Sequence, residues 1–172
     1  MLLSTSQRTL DLQENNPSTT GVNMPCKKIF FDLDGTVYPL YDQEGWLDKL
    51  HASDPSAYAV EDTMVPSEEL LDALCDLMGA GYEIGVISWL ARNASKEYEQ
   101  ETREVKRAWI KKFLPMASEI HIVRYGTPKQ GVIRKQPLAI LVDDDANVRA
   151  AWCHGLTIDP TKNLIKRLRS LI

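Results

Sequence analysis

The chain of 172 residues is poor in cysteine: Cys26, Cys75 and Cys153 are odd in number, far apart and outside any Cys-x-x-Cys spacing. A disulfide framework and a cysteine-built zinc site are thereby excluded, and reduced thiols are expected, with Cys75 in the core. No apolar stretch approaches the roughly eighteen residues of a membrane span, and the N-terminus has no signal-peptide-like apolar centre. A soluble, cytoplasmic protein without a membrane partner follows as the expectation. A strong excess of one charge is missing too. The net charge is -4 with 26% charged residues, which provides no global basic footprint for nucleic acid, so a polynucleotide end stays open as a substrate without support from charge. There are no internal repeats. With 44% hydrophobic residues, the chain is long enough to bury one core without covalent staples.

What is present is concentrated at Lys28 to Thr36, Lys-Ile-Phe-Phe-Asp-Leu-Asp-Gly-Thr. Ile29, Phe30 and Phe31 form a continuous β-branched and aromatic run, as in a strand buried on both faces of a parallel sheet. In open α/β sheets ligands bind beyond the carboxyl ends of the strands, so Asp32 and Asp34 are expected in the crevice, with Gly35 permitting a sharp turn. Residues two apart on an extended backbone share a face, and two carboxylates that close call for a cation. Mg²⁺, which prefers oxygen ligands and bridges to phosphate, is the expected one. A calcium loop counted from Asp32 fails, because Gln43 holds the twelfth position where a bidentate Glu is needed, and Val37 holds the glycine position.

Residues 1–23 are rich in Ser, Thr, Asn and Gln and read as a loose extension, leaving 24–172 as the folded domain. After the first strand, Val37 to Pro66 fits a flap with a short helix at Glu44 to Leu50. Its Tyr38, Tyr41, Trp46 and Tyr58 either pack the flap onto the sheet or stack a planar group such as a nucleobase. A helix begins at Pro66-Ser67, with Ser67 as its cap, and carries Leu70, Leu71, Leu74, Leu77 and Met78. The strand Tyr82 to Ile87 ends in Ser88 and Trp89. Trp89 and Arg92 reach the same rim and can touch substrate, Arg92 as a phosphate clamp or as a solvated arginine.

Ser95 to Leu114 reads as a long helix with Tyr98, Thr102, Val105, Trp109 and Phe113 on one face. Its terminal bases, Lys106 among them, read as a solvated side. Glu119 to Val123 is a third strand, followed by Gly126-Thr127-Pro128-Lys129, a turn that sets Lys129 at a helix start. Pro137 to Val142 is a fourth strand running into Asp143-Asp144-Asp145, three carboxylates that repel one another without a cation. Asp145 is suited to cap the next helix. A last edge strand at Gly155 to Asp159 and a closing helix at Pro160 to Ile172 complete an α/β chain.

Asp32-Leu33-Asp34-Gly35-Thr36, Ser88, Lys129 and Asp143-Asp144, in that order, resemble the four motifs of the haloacid dehalogenase-like (HAD) phosphohydrolases, and the chain is similar to small capless members from bacteria and phages. The resemblance implies a three-layer Rossmann-like parallel sheet flanked by helices, with a minimal cap or none. It also implies an aspartyl-phosphate mechanism on phosphate monoesters. Asp32 would be the nucleophile and Asp34 the general acid and base. Ser88 would bind the phosphoryl group together with Lys129, for whose role Lys135 and Arg134 compete. Mg²⁺ would be held by Asp32, by Asp34 through its backbone carbonyl, and by Asp144, with Asp143 supporting from behind, although the choice among Asp143, Asp144 and Asp145 stays open. The expected partner is a phosphorylated small molecule or nucleotide. A silent phosphate- or metal-binding module is the alternative. A receiver-like phosphorylation switch is disfavoured, because its third strand would have to end in Asp and here ends in Val123-Arg124.

Overall fold

The computed structural model describes residues 27–133 and 138–172, so the N-terminal extension and the competing bases Arg134 and Lys135 lie outside the described residues. Five parallel strands form one sheet in the order β3-β2-β1-β4-β5: β1 is Lys27–Phe31, β2 Tyr82–Trp89, β3 Glu119–Val123, β4 Ala139–Val142 and β5 Thr157–Ile158. The apolar run Ile29 to Phe31 is fully buried at the sheet's centre, with Phe31 opposite Val86 on one side and Val142 on the other. Alternation along the strand splits the core in two. Ile29 and Phe31 face α2 (Ser67–Gly79), α3 (Lys96–Phe113) and α6 (Leu164–Arg169), through Leu74, Trp109 and Leu168 among others. Phe30, Ile87 and Leu141 face the opposite way, against Val148 and Trp152 in and just after α5 (Ala146–Ala151). The result is the expected Rossmann-like three-layer arrangement.

From β1 the chain builds outward to β2 and β3, then crosses to β4 on the other flank of β1. The strand order therefore reverses between β1 and β4, and the crevice beyond their carboxyl ends is where such sheets bind ligands. Asp32 N–H donates to Val142 O at 2.8 Å, locking the end of β1 to the end of β4.

The flap from Val37 to Pro66 contains two short 3-10 turns, Leu40–Asp42 and Pro55–Tyr58, around a six-residue helix α1 (Trp46–His51), not an independent cap. Its aromatic residues divide between the two expectations. Tyr38 and Tyr58 are buried, with the Tyr38 hydroxyl donating to the Tyr58 carbonyl and the Tyr38 ring edge-on to Trp109 at 5.0 Å. Tyr41 and Trp46, 5.0 Å apart, line the crevice, and Tyr58 borders it as well.

Several boundaries differ from the sequence reading. The flap helix starts at Trp46 because Gly45 takes a left-handed conformation, φ +66°. Ser67 is the first helical residue of α2 and makes no side-chain cap. The last strand is only two residues long, and α6 begins at Leu164, where the Asn163 side chain accepts from Lys166 N–H. Cys75 is exposed, not in the core, because the buried stripe of α2 runs through Leu70, Ala73, Leu74 and Leu77 and leaves its neighbour outside. Among the described residues no helix is long and apolar enough to cross a membrane.

Candidate active site

The reversal of strand order brings the acids together. Asp32 follows β1, Asp143 follows β4, and Lys129 stands between them at the start of α4 (Lys129–Val132), after a turn in which Gly126 takes φ +78°. Lys129 Nζ donates to Asp32 Oδ1 at 2.6 Å and to Asp143 Oδ2 at 2.7 Å, and all three residues are buried. Burial works against the ammonium, but Asp32 and Asp143 outweigh it and hold Lys129 above the usual lysine range.

Asp144 is tied to the first loop across 108 positions of chain: Thr36 Oγ1 donates to Asp144 Oδ1 at 3.2 Å and accepts from Asp144 N–H at 3.0 Å. Gly35, at φ +77°, permits this approach. A Cβ there would stand 2.5 Å from the Tyr41 ring and 2.8 Å from Asp144 Oδ2. Behind the acids, Asp145 caps α5 as expected, accepting from the Asn147 and Val148 N–H groups. Arg149 braces the loop by donating to the Asp143 and Asp144 carbonyls, each at 2.7 Å.

Oxygen atoms of Asp32, Asp143 and Asp144 lie within 4.8 Å of one another. An all-carboxylate donor set suits a hard cation such as Mg²⁺. The three carboxylates differ in their hydrogen bonds. Asp143 is occupied at both oxygens, by Lys129 and by Asp145 N–H. Asp32 and Asp144 are each engaged through Oδ1, which leaves the second oxygen of each for a cation. Burial first, then the charge of Asp32, pushes the Asp143 carboxyl up to about 6 and raises Asp144 as well. The cluster does not neutralise itself.

Asp34, two residues on from Asp32, meets a different cation. Lys106 Nζ, fully buried, donates to Asp34 Oδ2 at 2.7 Å, to Ser88 Oγ at 3.0 Å and to the Trp89 carbonyl at 2.7 Å, with the Tyr58 ring 4.7 Å away. Asp34 Oδ1 is buried with no partner. Burial raises the Asp34 carboxyl despite the opposing pull of Lys106, so the group is inclined to retain a proton.

Lys106 is the site residue that the charge pattern hid, since it sits among exposed bases. Helical spacing carried the signal: Lys106 lies four residues after Thr102 and three before Trp109, on the stripe that α3 buries. The solvated reading of that base is corrected accordingly.

The crevice itself encloses about 300 Å³. Asp32, Asp34, Lys129, Asp143 and Asp144 reach it, whereas Ser88 is fully buried beneath it and is absent from its lining. Trp89 and Arg92 line the crevice together with flap residues. The Trp89 indole N–H donates to Thr127 O at 2.8 Å, its ring is 5.2 Å from Tyr125, and Arg92 leans over Tyr125 at 5.9 Å. No protein-family model matches the chain, and no curated protein matches it. The chemistry is therefore read from these side chains alone.

Proposed function

We propose that the chain is a Mg²⁺-dependent phosphomonoesterase of the HAD-like kind, working through a phosphorylated Asp32. One observation carries the reading: Asp32, Asp34, Asp143 and Asp144 meet the buried Lys129 in a single crevice at the strand-order reversal. At the acid cluster Asp32, Asp143 and Asp144 stand against the single ammonium of Lys129, an excess of negative charge that a divalent cation offsets. A site that only needed to be stable would not gather them, because uncompensated buried charge is costly.

Asp32 and Asp144 would hold the ion, with the Asp34 backbone carbonyl as a further ligand by analogy with the family. When bound, Mg²⁺ offsets charge on the phosphoryl oxygens. Asp32 attacks phosphorus as the bond to the leaving oxygen breaks, and Asp34 delivers its proton to that oxygen. Water then attacks the phosphorylated Asp32, Asp34 takes its proton, and inorganic phosphate departs. Lys129 spends two of its three N–H donors on Asp32 and Asp143, which leaves the third for the phosphoryl group.

Tyr41 and Trp46 of the flap, together with Trp89 and Tyr125, favour a leaving group that carries a planar ring, and we assign nucleotide-type monoesters as the substrate class. The open mouth, without a cap, also accommodates a ligand that shields the reaction itself. The exposed thiols Cys75 and Cys153 suit a reducing cytoplasm. The test is a phosphate-release assay with Mg²⁺ on a panel of nucleoside monophosphates, p-nitrophenyl phosphate and glycerol phosphate. The account expects turnover, nucleotides ahead of glycerol phosphate, and loss to background in Asp32→Asn. Activity that survives the substitution would remove Asp32 as nucleophile, and a wholly inert wild type would favour a phosphate- or metal-binding module.

A further inference from the structure

Lys106 has no part in the chemistry just described, yet it is completely buried, and neither it nor the rest of its helix lines the crevice. A buried ammonium is costly unless every proton finds a partner. Here each does. An ammonium has three donors, and those of Lys106 go to Asp34 Oδ2, Ser88 Oγ and the Trp89 carbonyl at 2.7, 3.0 and 2.7 Å. None remains for a phosphate. Lys129 differs in this respect, because it has one donor to spare and lines the crevice.

From this contrast we infer that Lys106 is a positioning residue: it pins the Asp34 carboxyl group to Ser88 and the end of β2, so that the acid keeps a fixed orientation at the crevice it lines. The geometry fits the task. Lys106 grips Asp34 through Oδ2 and Oδ1 is buried, so the carboxyl group that borders the crevice is held in one orientation. Asp34 stands on the loop after β1 and Ser88 near the end of β2, so the lysine joins two adjacent strand ends that carry no direct side-chain bond to each other among the described residues. Ser88, sealed beneath the crevice, serves as the fixed post of this clamp, and α3 holds the clamp against the Tyr58 ring of the flap.

The inference rests on the phosphomonoesterase reading, and its consequence is specific to the leaving group. Cleaving p-nitrophenyl phosphate expels a stable phenolate that needs little help from an acid. Cleaving an alkyl ester such as a nucleoside 5′-monophosphate expels an alkoxide that must be protonated as it leaves. Lys106→Met keeps the length and apolar stem but removes all three donors. The expected result is a fall in kcat of about a hundredfold or more on alkyl esters, the lower end of what a general acid contributes. On p-nitrophenyl phosphate the fall is much smaller, KM is little changed, and Mg²⁺ affinity measured by calorimetry is that of wild type.

An equal loss on both leaving groups would make Lys106 a purely structural residue and overturn the inference, as would a larger loss on the aryl ester. Lys106→Gln, which keeps a donor without the charge, is the second variant. Its selectivity should lie between those of wild type and Lys106→Met. Failure of both variants to fold would assign the lysine to the scaffold and likewise overturn the inference. A wild type inactive on every ester is a separate outcome: it removes the phosphomonoesterase reading itself.

Discussion

Thr36 shows how much of this site depends on a single hydroxyl. It closes a reciprocal pair with Asp144, donating to the carboxylate and accepting from the backbone N–H, and it is almost fully buried while doing so. A ligand carboxylate needs a partner to fix its orientation, and removing such a partner typically weakens a metal site by about 10- to 100-fold. Thr36→Val preserves shape and deletes both contacts. Mg²⁺ affinity measured by isothermal titration calorimetry should fall by at least about tenfold, with the fold intact by circular dichroism. Unchanged affinity would mean that Asp144 is oriented by something else, Arg149 and the α5 cap being the remaining braces. Asp143 carries the complementary lesson. Its two oxygens are already engaged, and on the proposed reading it supports Asp32 through Lys129 instead of competing for the ion.

Strands reveal themselves wherever an apolar run stops at a charge, and for that reason β1 and β4 were legible together with the acids at their ends: Ile29 to Phe31 and Ala139 to Val142 are buried throughout, and nothing but a site calls for Asp at the next position. Lys129 was legible for a related reason, since Gly126 and Pro128 fix the turn that delivers it. The rest depended on partners far away in the chain. Lys106 looks like any helix base until Asp34 and Ser88 arrive from two other elements, and Ser88 looks like a residue at the crevice until the lysine covers it. Short elements such as β5 draw their pairing from β4, so their own residues say little. Packing between strands supplies a further case. Gly85 in β2 lies beside Phe30, and a Cβ there would stand 2.5 Å from the Phe30 ring. Gly85→Ala should therefore cost about 1–3 kcal/mol by overpacking, read as a lower midpoint in urea denaturation. No change would show that Phe30 repacks freely and that this glycine has no packing role.

Taken whole, the molecule is a sheet whose order reverses once, with its acids collected at the reversal and its flap folded down by Tyr38 and Tyr58 against α3. Tyr41, Trp46, Trp89 and Tyr125 line the same crevice as the acids. Everything proposed rests on Asp32 becoming covalently phosphorylated. The direct measurement is to quench the protein during turnover with Mg²⁺ and a hydrolysed ester, reduce any acyl phosphate with borohydride, and locate the product by peptide mass spectrometry. The account predicts homoserine at position 32 in place of aspartate, dependent on substrate. Reduction at Asp143 or Asp144 instead, or an unmodified Asp32 peptide from a protein that is turning over, would contradict it.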